Sequence, residues 1–142
     1  MTRCVAIIQA RSGSSRLPGK ALLPLGERTA LGLMVHRDKK AEQISEIIIA
    51  TTENTGDDIL CDVARTLGVS FFRGDEQDVL SRVYHAAQES KANVIVRLTA
   101  DCPLMDGQLI DAAITEFFAG DYEYLNNVID HSIPDEQHIK IL

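Results

Sequence analysis

Apolar positions along the chain fall into short unbroken runs that alternate with stretches of helical spacing. Val5, Ile7 and Ile8 form the first run, the mark of a strand covered on both faces. Residues 21–25 read as a short extended piece ending at Gly26. Leu31, Met34 and Val35 at helical spacing, with His36, Arg37, Lys39 and Lys40 gathered where cations suit a helix dipole, predict a helix over 30–40. Three β-branched residues, Ile47, Ile48 and Ile49, mark a second buried strand closed by Ala50 and Thr51. Thr55 and Asp58 resemble a helix start. Ile59, Leu60, Val63, Ala64 and Leu67 then keep a helical period until Gly68 stops it. Residues 69–72 give a third strand, and Arg73, Gly74 and Asp75 turn the chain into a helix carrying Val79, Leu80, Val83, Tyr84 and Ala87. A fourth strand at 93–98 leaves by a loop at 99–103. Asp106 reads as the N-cap of a helix whose apolar face is Leu109, Ile110, Ala113, Ile114 and Phe117, ending near Gly120. Residues 122–129 read as a fifth strand.

Regular alternation of this kind predicts an α/β domain with a mainly parallel sheet and right-handed crossovers. In such sheets ligands bind beyond the C-terminal ends of the strands. That places the segments 11–20, 73–78 and 99–106 along one edge. A chain of 142 residues, 45% of them hydrophobic, can bury one real core and forms one domain, which we bound at 1–129, with a divergent or shortened tail at 130–142.

Charge sharpens this picture. The formal charge is -7, yet every acid lies at Glu27 or later; residues 1–26 carry only Arg3, Arg11, Arg16 and Lys20, leaving -11 on the remainder. An acidic protein with one basic segment suggests a local anion site. With 5% aromatic residues and no Trp, it offers neither the basic face nor the stacking platforms of a nucleic-acid binder. Cys4, Cys61 and Cys102 are widely spaced and form no metal-binding pattern, so they read as reduced core thiols. No run has the length of a signal peptide core or membrane span, and a cytoplasmic location is expected.

The basic segment is QARSGSSRLPGK, residues 9–20, directly after the first strand. Ser12, Gly13, Ser14 and Ser15 are small enough for backbone N–H groups to approach a ligand, and Arg11, Arg16 and Lys20 add three positive charges. This reads as a phosphate-holding loop. It is not a Walker A motif: Gly13 stands one residue too early, Ala21 occupies the place of the magnesium-binding hydroxyl, and Pro18 interrupts any helix. Nor is it GxGxxG.

Asp101, just past the fourth strand, has two readings: a carboxylate holding magnesium against nucleotide phosphates, or a turn cap before Pro103. Arg73 and Arg82 flank Asp75, Glu76 and Asp78, which a salt-bridged helix start accounts for. His36, His85, His131 and His138 pair with no nucleophile, so no triad is assigned.

Three motifs in order, VAIIQARSGSSRLPGKALLPLG, FFRGDEQDVLSRVYHAA and VIVRLTADCPLMD, resemble the spore coat polysaccharide biosynthesis type of cytidylyltransferase, a group similar to the CMP-KDO and acylneuraminate cytidylyltransferases. The resemblance spans most of residues 3–129. It implies a three-layer α/β fold of the nucleotide-diphospho-sugar transferase, glycosyltransferase-A-like type. It also implies transfer of a cytidylyl group from CTP to a sugar acid with Mg2+, in a homodimer. By position, Arg11, Ser12, Gly13, Ser14, Arg16 and Lys20 would hold the triphosphate, with Gln9 and Ala10 near the base. Arg73, Gly74 and Arg82 would frame the nucleoside. Asp101 would be the metal ligand, and Arg16, Lys20 and Asp101 would carry catalysis.

The chain departs from that pattern in places. Ala100 stands where Gly is usual, and Glu27 to Thr29 replace a Gly-Lys-Pro-like turn. Relatives continue through a segment like PDGLDVEV; Pro134 and Asp135 match it, and Glu136, Gln137, His138, Ile139 and Lys140 do not. The expected consequence is loss of the sugar-acceptor wall and the dimer arm. Two other readings follow: a non-catalytic CTP-binding or assembly module, and a nucleotide-sugar-dependent glycosyltransferase.

Overall fold

The computed structural model describes residues 2–127 and 137–142. Val5, Ile7 and Ile8 lie in β1 (Cys4–Gln9), the first of eight strands among the described residues. A small antiparallel hairpin, β2 (Pro24–Leu25) and β3 (Arg28–Thr29), leads into α1 (Ala30–Asp38), whose Thr29 cap accepts the Gly32 N–H at 3.0 Å. Then follow β4 (Glu46–Thr52), α2 (Asp58–Leu67), β5 (Ser70–Gly74), α3 (Val79–Glu89), β6 (Val94–Thr99) and α4 (Gly107–Ala119). Two short strands, β7 (Leu125–Asn126) and β8 (Lys140–Ile141), complete the order.

The main sheet runs β5-β4-β1-β6-β8-β7. Its first four strands are parallel; β8 pairs antiparallel with β6 and with β7. Because side chains alternate across a strand, β1 feeds two layers. Ala6 and Ile8 face α1, α2 and α4 through Leu31, Met34, Leu60, Ile110 and Ile114, while Val5 and Ile7 face α3 through Val83, Ala86 and Ala87. The expected three-layer α/β domain with a mainly parallel sheet is therefore present. Among the described residues no helix is long and apolar enough to cross a membrane. The three cysteines are buried, and no disulfide joins them.

Three local expectations are corrected. Residues 21–25 are not one extended piece: Gly19 takes a left-handed φ of 68°, and its carbonyl accepts the Leu22 N–H, so Lys20–Leu22 form a 3-10 turn that buries Ala21. The α3 face is rotated from the one read in sequence. Leu80 and Tyr84 are 75% and 54% exposed, and Arg82 turns inward with Val83, Ala86 and Ala87. The fifth strand is only Leu125–Asn126, with Tyr122 and Tyr124 exposed beside it. The rest of that expectation, from residue 128, and the Pro134, Asp135 match lie outside the described residues. From the tail, Ile139 and Ile141 are fully buried in the core, and β8 stands between β6 and β7.

Candidate functional site

Parallel pairing brings Gln9 of β1 beside Thr99 of β6, so the segment after β1 and the Asp101 segment leave the sheet side by side. Gln9 is fixed there: its Oε1 accepts Arg97 Nε at 3.0 Å and Nη2 at 2.7 Å. Ala10 is buried and donates its N–H to Ala50 O. Beyond it the chain makes a closed loop. The Ser12 carbonyl accepts the N–H groups of Ser14 and Gly19, both at 3.0 Å, and Ser14 Oγ accepts the Leu17 N–H at 3.3 Å.

Ser12 is tied underneath as well. Its N–H donates to Asp57 Oδ1 at 2.7 Å, and its hydroxyl donates to the same oxygen at 2.6 Å. The other carboxylate oxygen accepts the Thr52 hydroxyl. Burial alone would raise the Asp57 carboxyl; the bonds from Ser12 and Thr52 outweigh it and hold its pKa below the usual value. Sequence reasoning passed over Asp57, which looks like one more acid at a helix start. The available signal was a second Asp directly before Asp58, more than one helix start needs. With its N–H and hydroxyl engaged by Asp57, Ser12 shapes the loop; Gly13 is open, a Cβ there meeting nothing nearer than Glu76 at 4.0 Å.

The cations are spread around the loop. Lys20 Nζ lies 3.7 Å from Asp101 Oδ2, and Arg11 lies 3.6 Å from Glu76, which also accepts from Asn54 at 2.7 Å. Arg16 is exposed, with no ion pair or hydrogen bond among the described residues. A hydrogen bond from Thr99, opposed by partial burial and aided by the Lys20 charge, holds Asp101 below the usual carboxylate range. Asp101 is thus an ionised, half-exposed carboxylate facing Lys20. Among the described residues no cluster of three His, Cys, Asp or Glu gathers to hold a metal. One carboxylate fits magnesium, which takes one or two protein ligands and fills its sphere with phosphates and water.

The third βα unit behaves differently. Arg73 Nε donates to Thr52 O, Nη1 to Asp58 and Nη2 to Asn54 O, at 2.8, 2.6 and 2.7 Å. All three of its nitrogens close the β4–α2 connection. Gly74 makes room for its neighbour: a Cβ there would lie 3.0 Å from Arg82 Cγ. Arg82, 2% exposed, donates through Nη1 to Asp75 O at 3.0 Å and leaves a buried Nε without a partner. Burial, then the nearby Arg11 charge, lowers its pKa. Asp78 and Asp106 cap α3 and α4 through the N–H groups of Ser81 and Gln108.

Between the loop and the ends of β1 and β6 lies a groove of about 200 Å³ bounded by Gln9, Arg11, Ser14, Lys20, Thr99 and Asp101. Larger clefts open elsewhere, of about 450 Å³ near Arg3, Glu46 and Phe71 and about 460 Å³ near Arg37 and Asp111, and neither includes the loop. The groove can hold a polyanion against Lys20 and Arg11 and place a hard cation at Asp101. It offers no activated nucleophile.

The sequence matches the family profile described as Cytidylyltransferase over residues 5–140. It is 40% identical to the spore coat polysaccharide biosynthesis protein SpsF of Bacillus subtilis over 133 residues, 89% of this chain and 55% of that protein. It is 31% identical to a 3-deoxy-manno-octulosonate cytidylyltransferase of Bdellovibrio bacteriovorus over 95% of this chain and 53% of that one. The solved structure of a cytidylyltransferase from Leptospira borgpetersenii superimposes with a TM-score of 0.96 at 37% identity, covering 100% of this chain and 60% of the other. The sheet and its helical layers are accordingly the nucleotide-diphospho-sugar transferase fold. The chain spans about half the length of the curated relatives it matches.

Proposed function

As the chain belongs to the cytidylyltransferase family, we propose that it activates a sugar acid with CTP, giving a CMP-sugar and pyrophosphate for surface polysaccharide synthesis in the cytoplasm. The observation that carries this reading is the closed, cationic loop whose Lys20 Nζ lies 3.7 Å from Asp101, at the ends of adjacent parallel strands. The names of two relatives support the sugar class, one a spore coat polysaccharide biosynthesis protein and one a 3-deoxy-manno-octulosonate cytidylyltransferase.

Attack of a sugar hydroxyl on the α-phosphorus forms one P–O bond and breaks the bond to pyrophosphate. Such a displacement demands alignment and charge neutralisation more than a protein nucleophile. Lys20, Arg16 and Arg11 supply the positive charge, and Gln9, locked by Arg97, fixes one wall near the base. Arg82, held by Asp75 O and near the Arg11 charge, would help frame the nucleoside. Asp101 would hold Mg2+, which when bound neutralises phosphate charge.

Pyrophosphate release from CTP and magnesium over a panel of sugar acids, with calorimetric CTP titration of the same sample, tests the proposal. Release with any one sugar acid establishes the activity and its substrate. CTP binding without release on any sugar acid would count against the transferase, and absence of CTP binding would remove the phosphate-loop reading altogether.

A further inference from the structure

We propose that Asp57 is a positioning residue for nucleotide binding, clamping Ser12 so that the loop closes and delivers Lys20 to the groove. This rests on the CTP-binding reading above.

A carboxylate beneath a phosphate-holding loop looks misplaced, since it should repel the ligand. Its surroundings resolve the difficulty. Asp57 is 2% exposed, and both of its oxygens are occupied by protein donors, Ser12 N–H and Oγ on one and the Thr52 hydroxyl on the other. It faces the back of the loop. Asp57 also stands at the N-cap position of α2, where an aspartate ordinarily accepts a backbone N–H of its own helix. Here the side chain makes no capping bond and turns to the loop instead. Helix stability is forgone for the contact with Ser12.

Ser12 carries the constraint forward. Its carbonyl takes the N–H groups of Ser14 and Gly19, so one residue joins the start of the loop to its end. Gly19, at φ 68°, then opens the 3-10 turn whose first residue is Lys20, and Lys20 Nζ sits 3.7 Å from Asp101. Gly56 allows the approach from below: a Cβ there would stand 3.4 Å from Ser12 Oγ. The chain of contacts runs Asp57, Ser12, Gly19, Lys20, and it links the β4–α2 connection to the groove.

The test uses Asp57→Ala, Asp57→Asn, Ser12→Ala and the double alanine variant, each checked by thermal unfolding and assayed well below its midpoint. Two readouts are taken: CTP affinity by calorimetry, and the rate of tryptic cleavage after Arg16 without nucleotide. Asp57→Ala should lose about tenfold or more in CTP affinity and be cleaved faster. Asp57→Asn keeps an oxygen for the two Ser12 donors and should recover most of both. The double variant should lose no more than the worse single one, because both remove the same link. Unchanged cleavage and affinity in Asp57→Ala, or additive losses in the pair, would overturn the inference. If the unsubstituted chain itself fails to bind CTP, the functional reading fails and the nucleotide role falls with it, while the cleavage rates still decide whether Asp57 holds the loop shut.

Discussion

Replacing Asp38 by Asn should stabilise the protein, and the gain should grow with pH. Asp38 is the last residue of α1, on the inward face with Leu31, Met34 and Val35. It is 0% exposed, and neither carboxylate oxygen has a hydrogen-bond partner. Burial pushes its pKa to about 8, against a smaller downward pull from the Arg37 charge, and the C-terminal end of the helix dipole also disfavours an anion. The sign follows directly. Above the unfolded pKa of 3.8 the unfolded chain has released this proton while the native chain still holds it, so stability falls as pH rises. Each pH unit between the two values costs about 1.4 kcal/mol, on the order of 4 kcal/mol by pH 7, with no further loss above pH 8. That is a large share of a typical domain stability of roughly 5–15 kcal/mol. Asn has the same shape and no proton to lose. Urea unfolding of both proteins at pH 4.5, 6 and 7.5 isolates the effect, because every other titrating group is common to the pair. A stability difference that stays constant within about 1 kcal/mol across that range would refute the reasoning.

Three further outcomes are expected. Lys20→Ala should lower CTP affinity about ten- to a hundredfold by calorimetry, the scale of a charge-assisted contact, while urea midpoints barely move because the residue is half exposed. Gly107→Ala should destabilise by about 1–3 kcal/mol in urea unfolding, since its Cβ would stand 2.7 Å from Ala41 N and 3.0 Å from Arg37 O, rigid backbone where α4 meets the end of α1. Arg73→Lys should lower the thermal midpoint, as one ammonium cannot span the Thr52, Asn54 and Asp58 oxygens that the guanidinium reaches; an unchanged midpoint would make those contacts incidental.

How legible each part was depends on how local its cause is. The runs Val5–Ile8 and Ile47–Ile49 were readable because a strand buried on both faces leaves no polar alternation to misread. The α3 face was not. Hydropathy puts Leu80 and Tyr84 inside, yet Arg82 goes in because Gly74 leaves space for its stem and Asp75 O accepts from its Nη1. That cause sits on another element. Strand β8 is two residues long and owes its place to pairing with Val96, Arg97, Leu125 and Asn126, so no periodicity could announce it. Within the candidate site, the loop stood out from charge and glycine after a strand, whereas Asp101 kept two readings, metal ligand or turn cap, and only the resemblance favoured the first. Asp57 was hidden because its role lies in a partner 45 residues away.

In sequence the loop has no acid near it, but in the fold Asp57, Glu76 and Asp101 converge on Ser12, Arg11 and Lys20 from three different crossovers. Gathering cations on one loop without them would be costly, since like charges repel. A carboxylate inside the loop would relieve that repulsion and would also face the phosphates. Carboxylates brought from β4, β5 and β6 relieve it from the sides and the back. They are not equivalent. The Glu76 and Asp101 pairs are long and partly exposed, so salt screens them. The Asp57 bonds are short and made to a backbone N–H and two hydroxyls by a carboxylate that is itself 2% exposed, so salt screens them far less. On the proposed reading the loop has a fixed neck and cations with exchangeable partners, so an entering phosphate would take the places of Glu76 and Asp101 on Arg11 and Lys20 while the Asp57 bonds hold the backbone that presents Lys20.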